Sequence, residues 1–216
     1  MEDRKAPVIV DYDSANGSST IHARIWEIDN PRGIVQIIHG MAEHAGRYDE
    51  FARFLNDNGF LVAANDHAGH GLSIGDGDIP GYMAEKDGWR VMMDDADVLH
   101  RYLIDTYGEL PFFLLGHSMG AILAALYPIY YGEEHLDSVI VTGIPAKNPL
   151  LAAGKTMAKA SKSNKPAKHI HKMAFGGHTS SYAHVDTEYD WINSIPEEVQ
   201  QYIDDPLCGF VFTAQG

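Results

Sequence analysis

Gly116-His117-Ser118-Met119-Gly120 joins an apolar run, Pro111 to Leu115, to a run of small and apolar residues, Met119 to Tyr131. The first run predicts a strand and the second predicts a helix. A serine between glycines at a strand-to-helix turn is typical of a nucleophile elbow. The glycines keep side chains away from the strained turn, and the hydroxyl stays exposed at the carboxyl end of the strand. We therefore predict that Ser118 is a nucleophile, with Gly116, His117 and Gly120 supporting the turn.

A structural interpretation of the same five residues is also open. A serine can cap the first turn of a helix, and neighbouring glycines can be required for close packing. The pentapeptide alone has little specificity in a chain of 216 residues with 21 glycines. The strand before it and the helix after it favour a nucleophile over a cap.

Short apolar strands alternate with helices on both sides of this turn. The predicted strands are Val8–Val10, Thr20–Ile28, Ile34–Ile38, Phe60–Ala64, Pro111–Leu115 and Ser138–Thr142. The predicted helices are Arg47–Asn58, with Tyr48, Phe51, Ala52 and Leu55 on one face, a second helix marked by Val91, Val98, Leu99, Tyr102 and Leu103, and Met119–Tyr131. This alternation predicts an α/β fold, with a mainly parallel sheet covered by helices on both faces.

The alternation stops after Gly143. Residues 149–161 have a helical pattern, and the stretch from there to His184 is rich in Lys, His, Gly and Ser without a strand pattern. A segment of this kind, inserted after a strand of the sheet, predicts a cap. We expect residues 1–146 to form the core, 147–205 the cap, and 206–216 the start of a return to the core.

The formal net charge of −14 argues against nucleic acid as a partner, because a carboxylate-rich surface repels phosphates. The predicted cap nevertheless has no acidic residue between Asp137 and Asp186. It carries seven lysines there: Lys147, Lys155, Lys159, Lys162, Lys165, Lys168 and Lys172. This basic segment is either a solvated helix face or a peripheral contact with anionic lipid, to which Leu150, Leu151, Met157 and Phe175 would add apolar contacts.

The chain's ends and its cysteine usage favour a soluble cytoplasmic protein. The first ten residues lack the pattern of a secretory signal. The longest apolar stretch, Ala121 to Tyr131, is too short to cross a bilayer and contains Pro128. Cys208 is the single cysteine, which permits no internal disulfide and suits a reducing compartment. No metal or organic cofactor is implied.

A second motif, His39-Gly40-Met41-Ala42-Glu43-His44, follows the strand that ends at Ile38. In folds that use the elbow, the oxyanion of acyl transfer is met by two backbone N–H groups, one after the nucleophile and one from the loop after the third strand. Met119 and Met41 occupy those positions, with His39 and Gly40 as supporting residues. His39 and His44 either shape the loop by hydrogen bonding, which we favour, or transfer protons.

A third motif runs from Asp66 to Ser73 and includes His67 and His70. Asp and two His residues in one loop are compatible with a metal site. The glycines among them favour a turn held by side-chain hydrogen bonds instead.

These three motifs, with Gly46-Arg47-Tyr48 and Asp205 to Phe210, resemble the monoacylglycerol lipase and lysophospholipase family, whose domain is also called serine aminopeptidase-like. The resemblance implies an eight-stranded α/β-hydrolase core with a cap after the sixth strand. It also implies hydrolysis of esters of glycerol or related lipids, Ser118 as nucleophile, and Met41 and Met119 as oxyanion donors. Ala68 departs from the family, which often has a larger residue there.

A serine nucleophile needs a histidine as base and an acid to orient that histidine. The family places both after two further strands, so we expect the last two strands, the acid and the base to be absent from this chain. His135 and Asp137 are expected at the opposite end of the sheet from Ser118. The cap histidines are His169, His171, His178 and His184, and a lid is a poor place to hold a base.

Three interpretations follow. The chain is a fragment of a longer hydrolase, its missing part is a separate polypeptide, or it is a non-catalytic lipid-binding module. An unpaired apolar sheet edge after Ser138–Thr142 would promote self-association. An aminopeptidase or a small-ester esterase of the same fold is a further alternative. The absence of acidic residues in the predicted cap before Asp186 favours an ester over a peptide with a free ammonium group.

Overall fold

Six strands form one sheet in the part of the chain that the computed structural model describes, which is residues 5–144, 156–158, 165–175, 179, 182 and 184–214. The strands are β1 (Val8–Asp13), β2 (Thr20–Trp26), β3 (Gly33–Ile38), β4 (Phe60–Asn65), β5 (Phe112–His117) and β6 (Ser138–Thr142). Their order in the sheet is β1-β2-β4-β3-β5-β6. The pairs β4–β3, β3–β5 and β5–β6 are parallel, and β1 and β2 are antiparallel additions at one edge.

Strand β3 lies in the middle of the parallel part and is buried along its whole length. Ile34 of β3 is in register with Leu61 of β4 and with Phe112 of β5. A strand buried on both faces has a nearly continuous apolar sequence instead of an alternating one. Strand β3 has this pattern except at Gln36, whose buried side chain donates to the Ala96 carbonyl at 2.8 Å. The predicted mainly parallel sheet is confirmed.

The helices are α1 (Asp49–Asp57), α2 (Gly88–Tyr107), α3 (Met119–Tyr131), α4 (Lys168–Phe175) and α5 (Pro196–Asp204), with 3₁₀ turns at Ala45–Tyr48 and Gly71–Ser73. Helices α2 and α3 cover one face of the sheet, where Met93 and Leu123 pack with Leu114 of β5. Helix α1 covers the other face, where Ala52 packs with Ile37 of β3. The chain therefore has the α/β-hydrolase fold, with helices on both faces as predicted.

Two side chains that we predicted on buried helix faces are exposed. Phe51 of α1 lies against Phe54 on the outer side of the helix, with ring centroids 6.4 Å apart. Tyr102 of α2 is also exposed, because Leu99 and Leu103 already fill the face that meets the sheet. The spacing of the apolar residues predicted the position of both helices correctly. Which residues at the edge of the apolar face are buried depends on how the helix packs against the sheet.

The cap is described in part. Of the helix predicted over residues 149–161, residues 156–158 are described and are helical, and the rest lies outside the described residues. His178 and the lysines at 147, 155, 159 and 162 also lie outside them. Within the described part, β6 pairs with β5 on one side only, and Ile140 and Val141 are exposed at this edge. No helix found in the described ranges is long and apolar enough to span a bilayer.

Candidate active site

Ser118 lies at the turn between β5 and α3, at the carboxyl end of the strand. Its backbone has φ 53° and ψ −114°, a conformation that non-glycine residues rarely adopt. The Ser118 N–H donates to the Thr142 carbonyl at 2.9 Å, so the end of β6 holds the turn. The Ser118 side chain makes no capping hydrogen bond to α3, which argues against a cap as the reason for the serine.

The two glycines of the turn are required by close packing. A Cβ on Gly116 would overlap the Gly120 carbonyl, and a Cβ on Gly120 would overlap the Ile38 carbonyl and lie 2.6 Å from that of His39. Helix α3 thus begins in direct contact with the backbone of β3. His117, the last residue of β5, has its ring against Gly143, where a Cβ would lie 2.8 Å from the ring.

The second predicted motif lies beside the serine. We call residues 39–44 the oxyanion loop. A Cβ on Gly40 would lie 3.2 Å from the Ser118 Cβ, so the loop approaches the nucleophile as closely as a glycine allows. Met41 lines a cavity on this side of the sheet, and Met119 is the first residue of α3. The structure therefore brings the proposed nucleophile and both proposed donor residues to one end of the sheet.

His39 orients the peptide group that carries the Met41 N–H. Its Nε2 accepts from the His67 backbone N–H at 3.1 Å, so the ring proton is on Nδ1. Nδ1 donates to the Gly40 carbonyl at 2.8 Å, and this carbonyl belongs to the same peptide group as the Met41 N–H. These hydrogen bonds agree with the loop-shaping interpretation of His39.

Three imidazole rings are packed together under the loop. His39, His67 and His70 are fully buried, with ring centroids 4.0 Å apart for His39 and His67 and 5.2 Å apart for His39 and His70. Burial lowers the pKa of all three, and the neighbouring rings lower it further. The pKa of His70 falls to about 3. All three rings are therefore neutral at pH 7.

Glu43 is the acceptor that closes the oxyanion loop on itself. Its Oε1 accepts from the Gly40 N–H at 2.6 Å and from the Tyr48 hydroxyl at 2.9 Å. Its Oε2 accepts from Arg47 at 2.7 Å. The carboxylate is 6% exposed, so these charge-assisted hydrogen bonds are poorly screened by water.

Asp66 is the buried hydrogen-bond acceptor of the third motif, as Glu43 is of the oxyanion loop. Its carboxylate is fully buried and accepts from the Ala45 N–H at 2.7 Å and the Leu72 N–H at 2.8 Å. It also pairs with Arg24 at 3.2 Å. Asp66 therefore holds a turn by side-chain hydrogen bonds, the interpretation that the glycines favoured.

One group with metal-ligand chemistry occurs within the described ranges: His44, Asp205 and Cys208. The His44 Nδ1 accepts from the Gly46 N–H at 3.1 Å, so the proton is on Nε2 and is donated to Asp205 at 2.8 Å. The ring is thus committed to hydrogen bonds on both nitrogens. Burial would raise the Asp205 pKa, but hydrogen bonds from His44 and the Leu207 N–H lower it below its usual range.

The cavity beside the oxyanion loop has a volume of about 340 Å³, within the range of small-molecule sites. Its lining combines the loop with the cap and comprises Met41, Ala42, His171, Lys172, Thr179, Glu188, Tyr189, Trp191, Tyr202 and Gly209. Aromatic walls with a few polar groups suit an amphipathic molecule. Met41 and Ala42 are the residues of the oxyanion loop that line the cavity.

The histidines and the aspartate that we considered as partners of Ser118 in a catalytic triad lie in different parts of the structure. Asp137 accepts from the Phe112 N–H at the start of β5, so it lies at the opposite end of the strand from Ser118, as predicted. His169 and His184 are exposed. His171 lines the cavity, and burial lowers its pKa against the opposing effect of Glu188.

A parallel sheet, a strained serine at a strand-to-helix turn and a glycine-containing loop packed against that serine define an α/β-hydrolase site. A family model described as serine aminopeptidase, S33, matches residues 29–216. The chain therefore belongs to this family of α/β-hydrolases, which confirms the resemblance seen in its motifs.

Relatives with assigned names are lipases and esterases. The chain is similar to the monoglyceride lipase of Mus musculus, with 35% identity over 137 residues, covering 58% of this chain and 41% of the relative. It is also similar to the monoacylglycerol lipase of Mycolicibacterium smegmatis, with 35% identity over 143 residues, covering 62% and 48%. The chain thus spans about half or less of the length of these relatives.

A solved structure gives a longer match. The thermostable carboxyl esterase from Bacillus coagulans, in complex with glycerol, has 32% identity and a TM-score of 0.86. The match covers 97% of this chain and 68% of the esterase.

Proposed function

We propose that the protein is a serine hydrolase that cleaves carboxylic esters of lipids through an acyl-enzyme on Ser118. The observation that carries this proposal is the contact between the strained Ser118 turn and Gly40 of the oxyanion loop. Attack of the Ser118 hydroxyl on an ester carbonyl would develop negative charge on the carbonyl oxygen. The backbone N–H groups of Met41 and Met119 would stabilise that charge.

Monoacylglycerol is the substrate class that we propose first. Relatives named monoglyceride lipases and an esterase holding glycerol support it. The cavity supports it as well, because Tyr189 and Trp191 offer apolar surface while Lys172 and Thr179 offer hydrogen bonds. A lysophospholipid has the same acyl ester and a larger head group, and it is the second lipid class to test.

One specific observation favours an aminopeptidase as the alternative function. The cap has no acidic residue before Asp186, but Glu188 follows directly and lines the cavity. A carboxylate there is suited to the ammonium group of a peptide. The sequence argument for an ester over a peptide is therefore weaker than expected.

Hydrolysis of a matched panel separates these candidates. The panel holds a monoacylglycerol, a lysophosphatidylcholine, a short p-nitrophenyl ester and an aminoacyl-p-nitroanilide, each tested with the wild type and with Ser118→Ala. We expect release of fatty acid from monoacylglycerol that the variant lacks. Preferential cleavage of the anilide would favour the peptidase. Lipid binding without turnover in either protein would favour a non-catalytic module.

Activation of Ser118 requires a general base, and two sources differ in an observable way. His171 is the described histidine that lines the same cavity as Met41. The other source is a residue outside this chain, contributed by the rest of a longer hydrolase or by a second polypeptide. His171→Gln should abolish turnover if the cap supplies the base, and should leave it unchanged if a residue outside this chain does.

Self-association through β6 is a further part of the proposal. The edge of β6 carries the exposed side chains Ile140 and Val141, and an unpaired apolar edge can accept another strand. Light scattering of the purified chain tests this. A monomer at high concentration would contradict it.

A cytoplasmic location and lipid contact through the cap lysines stay predictions.

A further inference from the structure

Two peptide groups near Met41 are fixed from different parts of the molecule: the Gly40–Met41 group, which carries the Met41 N–H, and the Ala42–Glu43 group one residue further on. The Gly40 carbonyl accepts from His39, which belongs to the core. The Ala42 carbonyl accepts two hydrogen bonds, from the Tyr202 hydroxyl and from the Gly209 N–H, each at 3.0 Å. Both donors belong to residues 202–209, which join the end of the predicted cap to the start of the return to the core and which we call the post-cap segment.

Ala42 is a residue that needs such outside contacts. Its φ is +53°, in the left-handed region that alanine rarely adopts. A strained conformation persists only when the surrounding structure holds it. Ala42 is 5% exposed, and the two hydrogen bonds on its carbonyl are buried with it.

The post-cap segment makes two further contacts with residues just after Ala42. Asp205 accepts from the His44 Nε2 at 2.8 Å, and the Arg47 guanidinium lies 4.9 Å from the centre of the Tyr202 ring. The segment consists of the end of helix α5 and a turn, in which Asp205 also accepts from the Leu207 N–H at 2.8 Å. The end of a helix and the turn after it therefore contact the oxyanion loop at several points.

We infer that the post-cap segment positions the oxyanion loop, with Tyr202 and Asp205 as positioning residues that hold the Met41 N–H toward the reacting carbonyl. This inference rests on the proposed function, since it assigns the Met41 N–H as an oxyanion donor. The same segment connects the cap to the loop: Tyr202 and Gly209 line the cavity together with cap residues.

The two donors can be observed separately. The chain has eight methionines, so ¹⁵N-methionine labelling gives a sparse amide spectrum that contains both Met41 and Met119. Met41→Leu and Met119→Leu assign the two signals. In Tyr202→Phe we expect the Met41 signal to shift or broaden while the Met119 signal stays in place. An unchanged Met41 signal would overturn the inference, and so would equal shifts of both signals.

Asp205 gives a second test with a matched control. Asp205→Ala removes the acceptor of His44, whereas Asp205→Asn keeps an oxygen acceptor, so the Met41 signal should move in the first and return toward its wild-type position in the second. Asp204→Ala removes the neighbouring carboxylate, which binds only the exposed Gln200 side chain, and should leave Met41 unchanged. Equal effects of Asp204→Ala and Asp205→Ala would contradict the inference.

A kinetic test links the positioning to chemistry. Reaction of Ser118 with a fluorophosphonate is separated into a binding constant and a maximal rate of inactivation. Loss of one neutral hydrogen bond should slow the maximal rate about 3- to 10-fold in Tyr202→Phe and leave the binding constant unchanged. Tyr182→Phe, at an exposed cap tyrosine, is the control. If the Met41 signal shifts in Tyr202→Phe but the wild type does not react with the fluorophosphonate, only the proposed function is refuted. If Tyr202→Phe is inactivated at the wild-type rate, the positioning role of Tyr202 is refuted.

Discussion

The turn that carries Ser118 and the oxyanion loop beside it are held in place by different means. The turn is fixed by backbone contacts, since Gly116 and Gly120 let helix α3 touch strands β5 and β3 directly. Thr142 accepts the Ser118 N–H from the next strand. The turn therefore has no room for an added atom.

The oxyanion loop is fixed by buried polar side chains instead. Glu43 and His39 act from within it, and Asp66, Tyr202 and Asp205 act from segments far away in sequence. Each of these contacts is a single hydrogen bond or a small group of them. The stability of the Ser118 turn should therefore be sensitive to added side-chain volume. The stability of the oxyanion loop should be sensitive to the loss of hydrogen-bond acceptors and to pH.

Adding one methyl group to the turn should have the largest effect. In Gly120→Ala the new Cβ overlaps the Ile38 carbonyl, and neither backbone can move away without disturbing β3. We expect a loss of about 3 kcal/mol or more in the free energy of unfolding, at the upper end for overpacking. Urea denaturation measures it. Gly75→Ala, at an exposed loop position where the new Cβ would meet only the end of the Asp78 side chain, is the control and should change stability by less than about 1 kcal/mol. Equal stability of Gly120→Ala and the wild type would show that the turn is not tightly packed.

Removing the acceptor within the loop should come next. Glu43→Ala leaves the buried Gly40 N–H and the Arg47 guanidinium without their partner. Buried donors left unsatisfied cost about 1–3 kcal/mol, and we expect a loss in that range. The exposed Glu50→Ala on helix α1 is the control. If the two variants unfold at the same urea concentration, Glu43 does not hold the loop.

A smaller effect is expected from the pH dependence of the loop. The folded-state pKa of His70 is about 3, below the ordinary value near 6.5, so the unfolded chain binds more protons between these values. The stability that buried neutral His70 contributes is therefore complete above pH 6.5 and is lost as the pH falls toward 3. Asp95, with a pKa raised to about 6 by burial, has the opposite dependence.

His70→Gln isolates the contribution of this imidazole. Between pH 7 and pH 4.5 the variant should lose about 2.5 kcal/mol less stability than the wild type, at about 1.36 kcal/mol per pKa unit. Urea denaturation at the two pH values gives the difference. Identical pH slopes for both proteins would mean that His70 is accessible to protons in the folded state.

The cap lysines should have the smallest effect on stability. Lys165, Lys168 and Lys172 are exposed, and exposed charges contribute little to folding. Replacing Lys165, Lys168 and Lys172 by glutamate should change the free energy of unfolding by less than about 0.5 kcal/mol for each substitution. The same change should abolish cosedimentation with phosphatidylserine vesicles if the cap contacts lipid. Unchanged vesicle binding would refute lipid contact through these lysines.

The contrast between the two regions also explains what could be predicted from the sequence. The ends of α3 and β6 were predicted to the residue, because a strand, two glycines and an apolar helix are local patterns. The roles proposed for Ser118, Met41 and Met119 stay predictions, although the three residues lie at one end of the sheet.

The attachment of the oxyanion loop could not be predicted in this way. Tyr202 donates to Ala42 across 160 residues, and His44 meets Asp205 across 161. No periodicity connects such positions. In the sequence, the segment from Asp205 to Phe210 stands out only as part of the family resemblance. Its composition does not predict that it binds the oxyanion loop, which lies near the start of the chain.

The central claim is that Ser118 is a nucleophile held by its turn and served by the oxyanion loop. Mass spectrometry of the purified chain after treatment with a fluorophosphonate tests it most directly. The account predicts one covalent adduct, located on the peptide that contains Ser118 and absent from Ser118→Ala. Folded protein that forms no adduct would show that Ser118 lacks its general base in this chain, and an adduct that forms equally in Ser118→Ala would contradict the claim.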